Sequence, residues 1–130
     1  VLFTDVNNFH DINNTYGHSV GDDILRKLGI ALRKYGRKAD KFCRWGGDEF
    51  VGLIHLKSLD DIRGAARRFL KIANDCELIE DGQTVVCRAS IGITAVRQED
   101  TIESLVSRAD RYMYLAKKRT ESQIVTDFDV

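Results

Sequence analysis

The sequence predicts an α+β domain in which helices pack on a mostly antiparallel central sheet. Three observations carry this. Apolar residues recur at helical spacing in three long segments, alternating apolar runs lie between them, and two glycine-bearing turns join neighbouring runs as hairpins. At 130 residues the chain is long enough for one domain, residues 1–130, with its own core.

The elements follow in order. Residues 1–6 (VLFTDV) are a short apolar strand. A polar, Gly-punctuated region follows and holds one helical turn. From Gly21 onward, Ile24, Leu25, Leu28, Ala31, Leu32 and Tyr35 mark an amphipathic helix that Gly36 ends. KFCRW and EFVGLIHL are strands on either side of Gly46-Gly47, with Trp45 as a packing residue and His55 as a strand histidine. Ser58 reads as the N-cap of a second helix, with Asp60 and Asp61 in its first turn and a buried stripe of Ile62, Ala65, Ala66, Phe69 and Ala73. Asp81-Gly82 turns ELIE into QTVV. TVVCRASIGITAV reads as one long strand, with Val85, Cys87, Ala89, Ile91 and Ile93 on one face. The last helix opens at Thr101. Ile102, Leu105, Val106, Ala109, Met113 and Ala116 form its inner face, and Tyr112 and Tyr114 also pack. SQIVTDF adds an edge strand.

Composition narrows the function classes. A chain 43% hydrophobic and 31% charged is globular rather than disordered. Its 20 basic residues balance 20 acidic ones, which gives no reason to expect nucleic-acid or membrane-surface binding. No apolar run approaches a membrane span, and no signal peptide is visible. Cys43, Cys76 and Cys87 lack metal-ligand spacing and read as reduced thiols in a cytoplasmic core. Opening at Val1, already inside an apolar segment, the chain reads as a piece of a longer signalling protein. The rest has room for a sensory segment or a membrane tether.

Asp5 ends the first strand, and Asp48 with Glu49 occupies a hairpin tip. If that strand lies beside the hairpin, three carboxylates converge. Such carboxylates repel one another unless a divalent cation sits among them, and hard oxygen ligands suit Mg²⁺ or Mn²⁺. Phosphate oxygens commonly complete a Mg²⁺ shell, and the glycine pair lets backbone approach a ligand closely. The chemistry inferred is phosphoryl or nucleotidyl transfer. Taken alone, a GGDE turn reads first as an ordinary polar turn, since Gly and Asp populate turns in any case.

Four ordered blocks go further. RWGGDEF (44–50), DVNNFHDINNTYGHSVGDDIL (5–25), ASIGIT (89–94) and ADRYMYLAKK (109–118) resemble those of the GGDEF domains, the diguanylate cyclases. The resemblance implies a polymerase-palm-like (ferredoxin-like) fold. It implies condensation of two GTP to cyclic di-GMP and two pyrophosphates by a homodimer whose active sites face each other. Asp5, the Val6 carbonyl and Asp48 would hold metal, with two Mg²⁺ (or Mn²⁺) per site. Asp48 would take the proton, and Glu49 would support the second metal or the phosphates. Asn13 and Asp22 match the guanine-reading positions, His18 lies in the same GTP-site block, and Lys117 would meet the phosphates. Arg37 and Asp40, by composition a loop salt bridge, match the family's product-binding inhibitory site, with Arg68 as third contact.

Two positions depart from the family pattern. His10 stands where a phosphate-contacting lysine is usual, and Glu121 where an arginine is. Weak GTP affinity is therefore expected. A second reading makes the domain a weakly active or inactive regulatory module that binds GTP or cyclic di-GMP.

Overall fold

The computed structural model describes residues 1–119 and 123–130. Glu121 lies outside the described residues. The element order is β1 (Leu2–Val6), α1 (Phe9–Tyr16), α2 (His18–Tyr35), β2 (Lys41–Gly46), β3 (Glu49–Leu53), α3 (Ile62–Asn74), β4 (Glu77–Glu80), β5 (Gln83–Val86), β6 (Ala89–Ile93), α4 (Ile102–Lys118) and β7 (Ile124–Val125). Five strands form one sheet in the order β2-β3-β1-β6-β7, and β4-β5 form a separate ribbon. Every neighbouring pair is antiparallel except β6 and β7, which are parallel. The predicted α+β class is the one observed.

Strand alternation divides the core in two. Leu2 and Val6 of β1 join Ile24, Leu28 and Leu32 of α2 and Phe69 of α3 in the larger cluster. Phe3, pointing the other way, meets Val51 of β3 and Ala109 and Met113 of α4. Helices α1, α2 and α3 therefore cover one face of the sheet and α4 the other. Asp5 has the parity of Phe3, so its carboxylate emerges on the α4 side. Phe69 is fully buried and meets Phe42 edge-on, ring centroids 4.9 Å apart. Phe69→Ala is expected to cost about 3–5 kcal/mol, read as a lower urea midpoint with an unchanged slope.

Several expectations need correction. The polar stretch after β1 contains a full eight-residue helix, α1, because Phe9, Ile12 and Tyr16 give it an apolar stripe against the main core. Helix α2 begins at His18, three residues before Gly21. Ser58 caps a single 3-10 turn (Leu59–Asp61) that leads into α3. Strand β3 stops at Leu53, and His55 lies beyond it, exposed.

The long strand 84–96 is two strands in two sheets. The break falls at Cys87-Arg88: the Cys87 N–H bonds the Cys76 carbonyl and the Arg88 carbonyl accepts from Asn7, so neither continues a single ladder. Ile102 is 81% exposed rather than part of the inner face of α4, which is set by Arg108, Ala109, Tyr112, Met113 and Ala116. Trp45 and Tyr114 are more than half exposed, and Cys43 is an exposed thiol. Asp81-Gly82 does form the β4-β5 turn, with φ of 50° and 79°. Thr101 caps α4 in a reciprocal pair with Ser104.

Candidate active site

The sheet register builds the site. Strand β1 is central, and its last residues lie against the tip of the β2-β3 hairpin. Asp5 stands opposite Glu49, and the Val6 N–H donates to the Asp48 carbonyl at 3.3 Å. The turn is closed by Gly47 at φ 49° and by Arg44, whose Nε donates to the Gly47 carbonyl at 2.8 Å. Its backbone is open on the outer side, where a ligand has room to approach.

Asp5 is only 4% exposed. Its Oδ2 pairs with Lys117 Nζ from α4, while its buried Oδ1 has no hydrogen-bond partner. Burial first, and then the facing Asp48 carboxyl, push Asp5 up to about 7, against the opposing pull of Lys117. Burial, then Asp110 and Asp48, also raise Glu49. A buried carboxylate oxygen with no donor, opposite a second carboxylate, is a position that a cation satisfies.

The expected meeting of three carboxylates is only partly realised. Asp5 and Asp48 face each other, and Glu49, paired with Asp5 across the register, lies on the same face and also feels Asp110 of α4. Among the described residues no group of three His, Cys, Asp or Glu side chains closes on one point. The donor set that does fit a hard cation is therefore Asp5, Asp48 and the neighbouring Val6 backbone, with the remaining positions left to water or phosphate.

The other candidates lie along α1 and α2. Asn13 on α1 packs its amide against Gly21: a Cβ built there would meet Asn13 Oδ1 at 1.9 Å. A side chain at Gly21 would push the Asn13 amide out of this position. Asn13 Oδ1 is buried and without a partner, and Asp22, next to Gly21 in sequence, is exposed. Asp22 lines a cleft of about 390 Å³ between α2 and the hairpin, with Leu25, Gly29, Phe42, Arg26 and Arg44. His10 and His18 are exposed, on α1 and at the first position of α2. Gly21→Ala is expected to push the Asn13 side chain aside at a stability cost of about 1 kcal/mol, read as a small fall in the urea midpoint.

Arg37, Asp40 and Arg68 come together at the far end of the hairpin. The Asp40 side chain is 1% exposed and accepts the N–H groups of Arg37 at 3.1 Å and His55 at 3.2 Å. Its ion pair is with Arg68, at 3.5 Å, rather than with the Arg37 side chain expected from composition. The Arg68 guanidinium lies 4.7 Å over the Phe69 ring, and its Nε is buried without a partner. Burial and the nearby Arg37 lower the pKa of Arg68. Arg37 and Arg68 both line a cleft of about 360 Å³.

Sequence reasoning assigned no role to Arg44 or Asp110. The signal for Arg44 was its place two residues before the glycine pair on an exposed strand. That for Asp110 was its place seven residues before Lys117, two turns back along the same helix.

Residues 1–123 match the family model described as diguanylate cyclase, GGDEF domain. The chain belongs to the GGDEF family. Diguanylate cyclase DosC of Escherichia coli (strain K12) is 33% identical over 125 residues, which are 95% of this chain and 27% of that protein. Among solved structures, diguanylate cyclase SiaD of Pseudomonas aeruginosa, crystallised with its activator SiaC, superposes with a TM-score of 0.86. It is 29% identical, and the match covers 96% of this chain and 48% of that one. The GGDEF domain of DgcB from Caulobacter crescentus, solved in complex with c-di-GMP, gives a TM-score of 0.86 over 96% of this chain and 75% of that one. At 18% identity it is a likeness of fold. The GGDEF chain spans about a third or less of the length of the curated relatives it matches. GGDEF diguanylate cyclases are metal-dependent as a family. No helix among the described residues is long and apolar enough to cross a membrane.

Proposed function

We propose that this domain is a diguanylate cyclase: a metal-dependent nucleotidyltransferase that condenses two GTP into cyclic di-GMP and two pyrophosphates. The observation that carries the reading is the buried, unpartnered Asp5 Oδ1 opposite Asp48, beside an open glycine turn. Asp5, Asp48 and the Val6 carbonyl would hold Mg²⁺ (or Mn²⁺), and Glu49 would support a second ion or the phosphates; an ion held there would supply charge neutralisation to the phosphates. Asn13 and Asp22 orient the base, since a carboxylate accepts from guanine N1–H and its N2 amine. His18 borders the same region. Lys117 presents an ammonium and His10 an imidazole to the triphosphate. Asp48 accepts the 3′-hydroxyl proton as that oxygen bonds to the α-phosphorus and the bond to pyrophosphate breaks. The hydroxyl and the phosphate it attacks come from opposite halves of an antiparallel homodimer.

The domain is read as one part of a longer cytoplasmic or membrane-tethered signalling protein. Incubation with GTP and Mg²⁺, following pyrophosphate and cyclic di-GMP, tests the activity. Product is expected from the wild type and none above background from Asp48→Ala. Tight GTP binding without product in either protein would instead identify a binding module. With His10 in place of lysine, GTP is expected to bind more weakly than the micromolar range, and a micromolar or tighter constant would remove that expectation.

Product feedback belongs to the same reading. Arg37 and Arg68 grip cyclic di-GMP at the cleft they share, and Asp40 accepts from guanine once its contact with Arg68 is exchanged. Titration of cyclic di-GMP is expected to give binding to the wild type and a loss of about tenfold or more in Arg37→Ala. Equal binding by both proteins would dispose of the inhibitory site.

A further inference from the structure

The β4-β5 ribbon stands apart from the main sheet, and its two ends carry two of the chain's three cysteines. Glu77 pairs with Val86 and Leu78 with Val85. Continued by one residue, that register sets Cys76 opposite Cys87, and the Cys87 N–H donates to the Cys76 carbonyl at 3.1 Å. A hydrogen-bonded antiparallel pair holds its Cα atoms about 5.5 Å apart, within the span of a disulfide. By strand alternation Cys76 and Cys87 share the face of Leu78 and Val85, which is turned to the main core, while Ile79 and Val86 point outward. Both thiols are free and buried. The Cys76 N–H bonds the Ala73 carbonyl of α3 rather than the ribbon, so a single cross-strand bond joins the two cysteines and leaves their spacing room to adjust.

With the ribbon closed, the pair is unreactive. Burial, and then the neighbouring Cys76, push the Cys87 thiol up to about 12. Burial also raises Cys76, with Lys27 pulling the other way. A two-stranded ribbon is only marginally stable by itself, so it opens while the main sheet stays folded. Cys76 also borders a cleft of about 490 Å³ between α2 and α3, whose charged lining is Lys27, Arg68 and Lys71 against one acid, Asp75. A small anionic disulfide therefore meets Cys76 first.

We propose that Cys76 and Cys87 are a reversible dithiol–disulfide pair, oxidised by exchange with a low-molecular-weight disulfide of the glutathione class. The Cys76 thiolate attacks one sulfur of the small disulfide, whose S–S bond breaks and releases one thiol. The Cys87 thiolate then attacks the Cys76 sulfur and releases the second. Two protein thiols are oxidised, one small disulfide is reduced to two thiols, and the two protons pass to those thiols. In a reducing compartment the pair rests as thiols, and the bond forms when the small disulfide accumulates. Once formed, it ties the end of α3 to the break between β5 and β6, beside the Arg88 carbonyl that accepts from Asn7.

Cys43 is an exposed thiol on β2, so the test uses the Cys43→Ser chain, in which the pair alone can react. After incubation with glutathione disulfide, mass spectrometry is expected to show a chain that has lost two hydrogens and takes up no alkylating reagent. Digestion without reductant should then yield a linked fragment containing Cys76 and Cys87. Adding Cys87→Ser should stop the reaction with one glutathione held on Cys76. Equilibration in glutathione buffers, approached from the reduced and from the oxidised chain, is expected to favour the disulfide about tenfold or more over the same chain in urea. The oxidised chain should accordingly melt roughly 5 °C above the reduced one. A disulfide no more favoured folded than in urea, or an oxidised chain that melts below the reduced one, would overturn the proposal. So would stable attachment of glutathione to both cysteines, since each would then react alone.

Discussion

Asp5→Asn is expected to abolish cyclic di-GMP formation and, at the same time, to make the metal-free domain more stable at pH 8. Both effects arise from one buried carboxyl. Its folded-state pKa is raised to about 7 from an ordinary value of 3.8, chiefly by burial and then by Asp48. A raised acid binds protons more tightly folded than unfolded, so its stabilising contribution is complete below about pH 4 and is lost as pH rises through 7. The loss is of order 2–4 kcal/mol. Asparagine cannot ionise and so does not lose it. Thermal melts at pH 5 and pH 8 should show the wild type falling relative to the variant. Mg²⁺ should restore the wild type at pH 8 and move the variant much less, because a neutral amide beside Asp48 is the weaker ligand. Activity should fall by a factor of at least about 100. A variant that turns over normally, or a wild type whose melting point rises relative to the variant's from pH 5 to 8 without metal, would refute this account of Asp5.

The second large effect lies away from the reaction. Arg108 is buried on α4 and forms a two-pronged pair with Asp100, 2.8 and 2.7 Å, at the start of that helix. Its remaining N–H groups reach the Thr94 hydroxyl at 2.7 Å and the Ala95 carbonyl at 2.9 Å, just beyond β6. Asp127 adds the chain's tail to the same clasp, accepting from Thr94, Ala95 and Tyr112. Arg108→Ala leaves these acceptors and Asp100 without their donor, the case in which a buried pair matters most. A fall in melting temperature of roughly 8–15 °C is expected. Hydrogen bonds from Arg108, then the Arg97 N–H, hold the Asp100 carboxyl well below the usual carboxylate range. Its contribution is therefore present above the ordinary carboxylate pKa and is lost as pH falls through the depressed folded value. The difference between wild type and Arg108→Ala should narrow toward strongly acid pH. A variant that melts within a few degrees of the wild type would show the clasp to be dispensable.

What could be read from the sequence divides along physical lines. Local signals survived well. The end of α2 at Gly36, the cap at Thr101 and the Asp81-Gly82 turn each depend on residues close in sequence, and each is where it was expected. The break at Cys87-Arg88 was hidden, because the apolar alternation runs on unchanged while the hydrogen bonds that divide the strand come from Cys76, Asn7 and Asn74, far away in the chain. Ile102 was misplaced for a related reason: periodicity marks a stripe, but not where the neighbouring strands end.

The candidate site shows the same division. The placement of Asp5 beside the hairpin followed from one assumed strand pairing, and the register supports it. The contact between Lys117 and Asp5 joins residues 112 positions apart. A charge run reads alike whether it meets water or a buried acid, so nothing near Lys117 could announce that partner. The exchange of partners at Asp40, from Arg37 to Arg68, was hidden in the same way.

Strand β2 gives the sheet one long outer border, and that border bears on how two copies can meet. An unpaired strand is a template on which another chain can extend the sheet, and such growth has no natural end. Here Lys41 and Arg44 charge the border, and the register slips between Arg44 and Gly46, bending the strand away from a straight template. The antiparallel pair of the proposed function would therefore meet through side chains, not through backbone ladders. Association of that kind is reversible and responsive to concentration, so whatever holds two copies near each other would set how often the two proposed nucleotide sites come within reach.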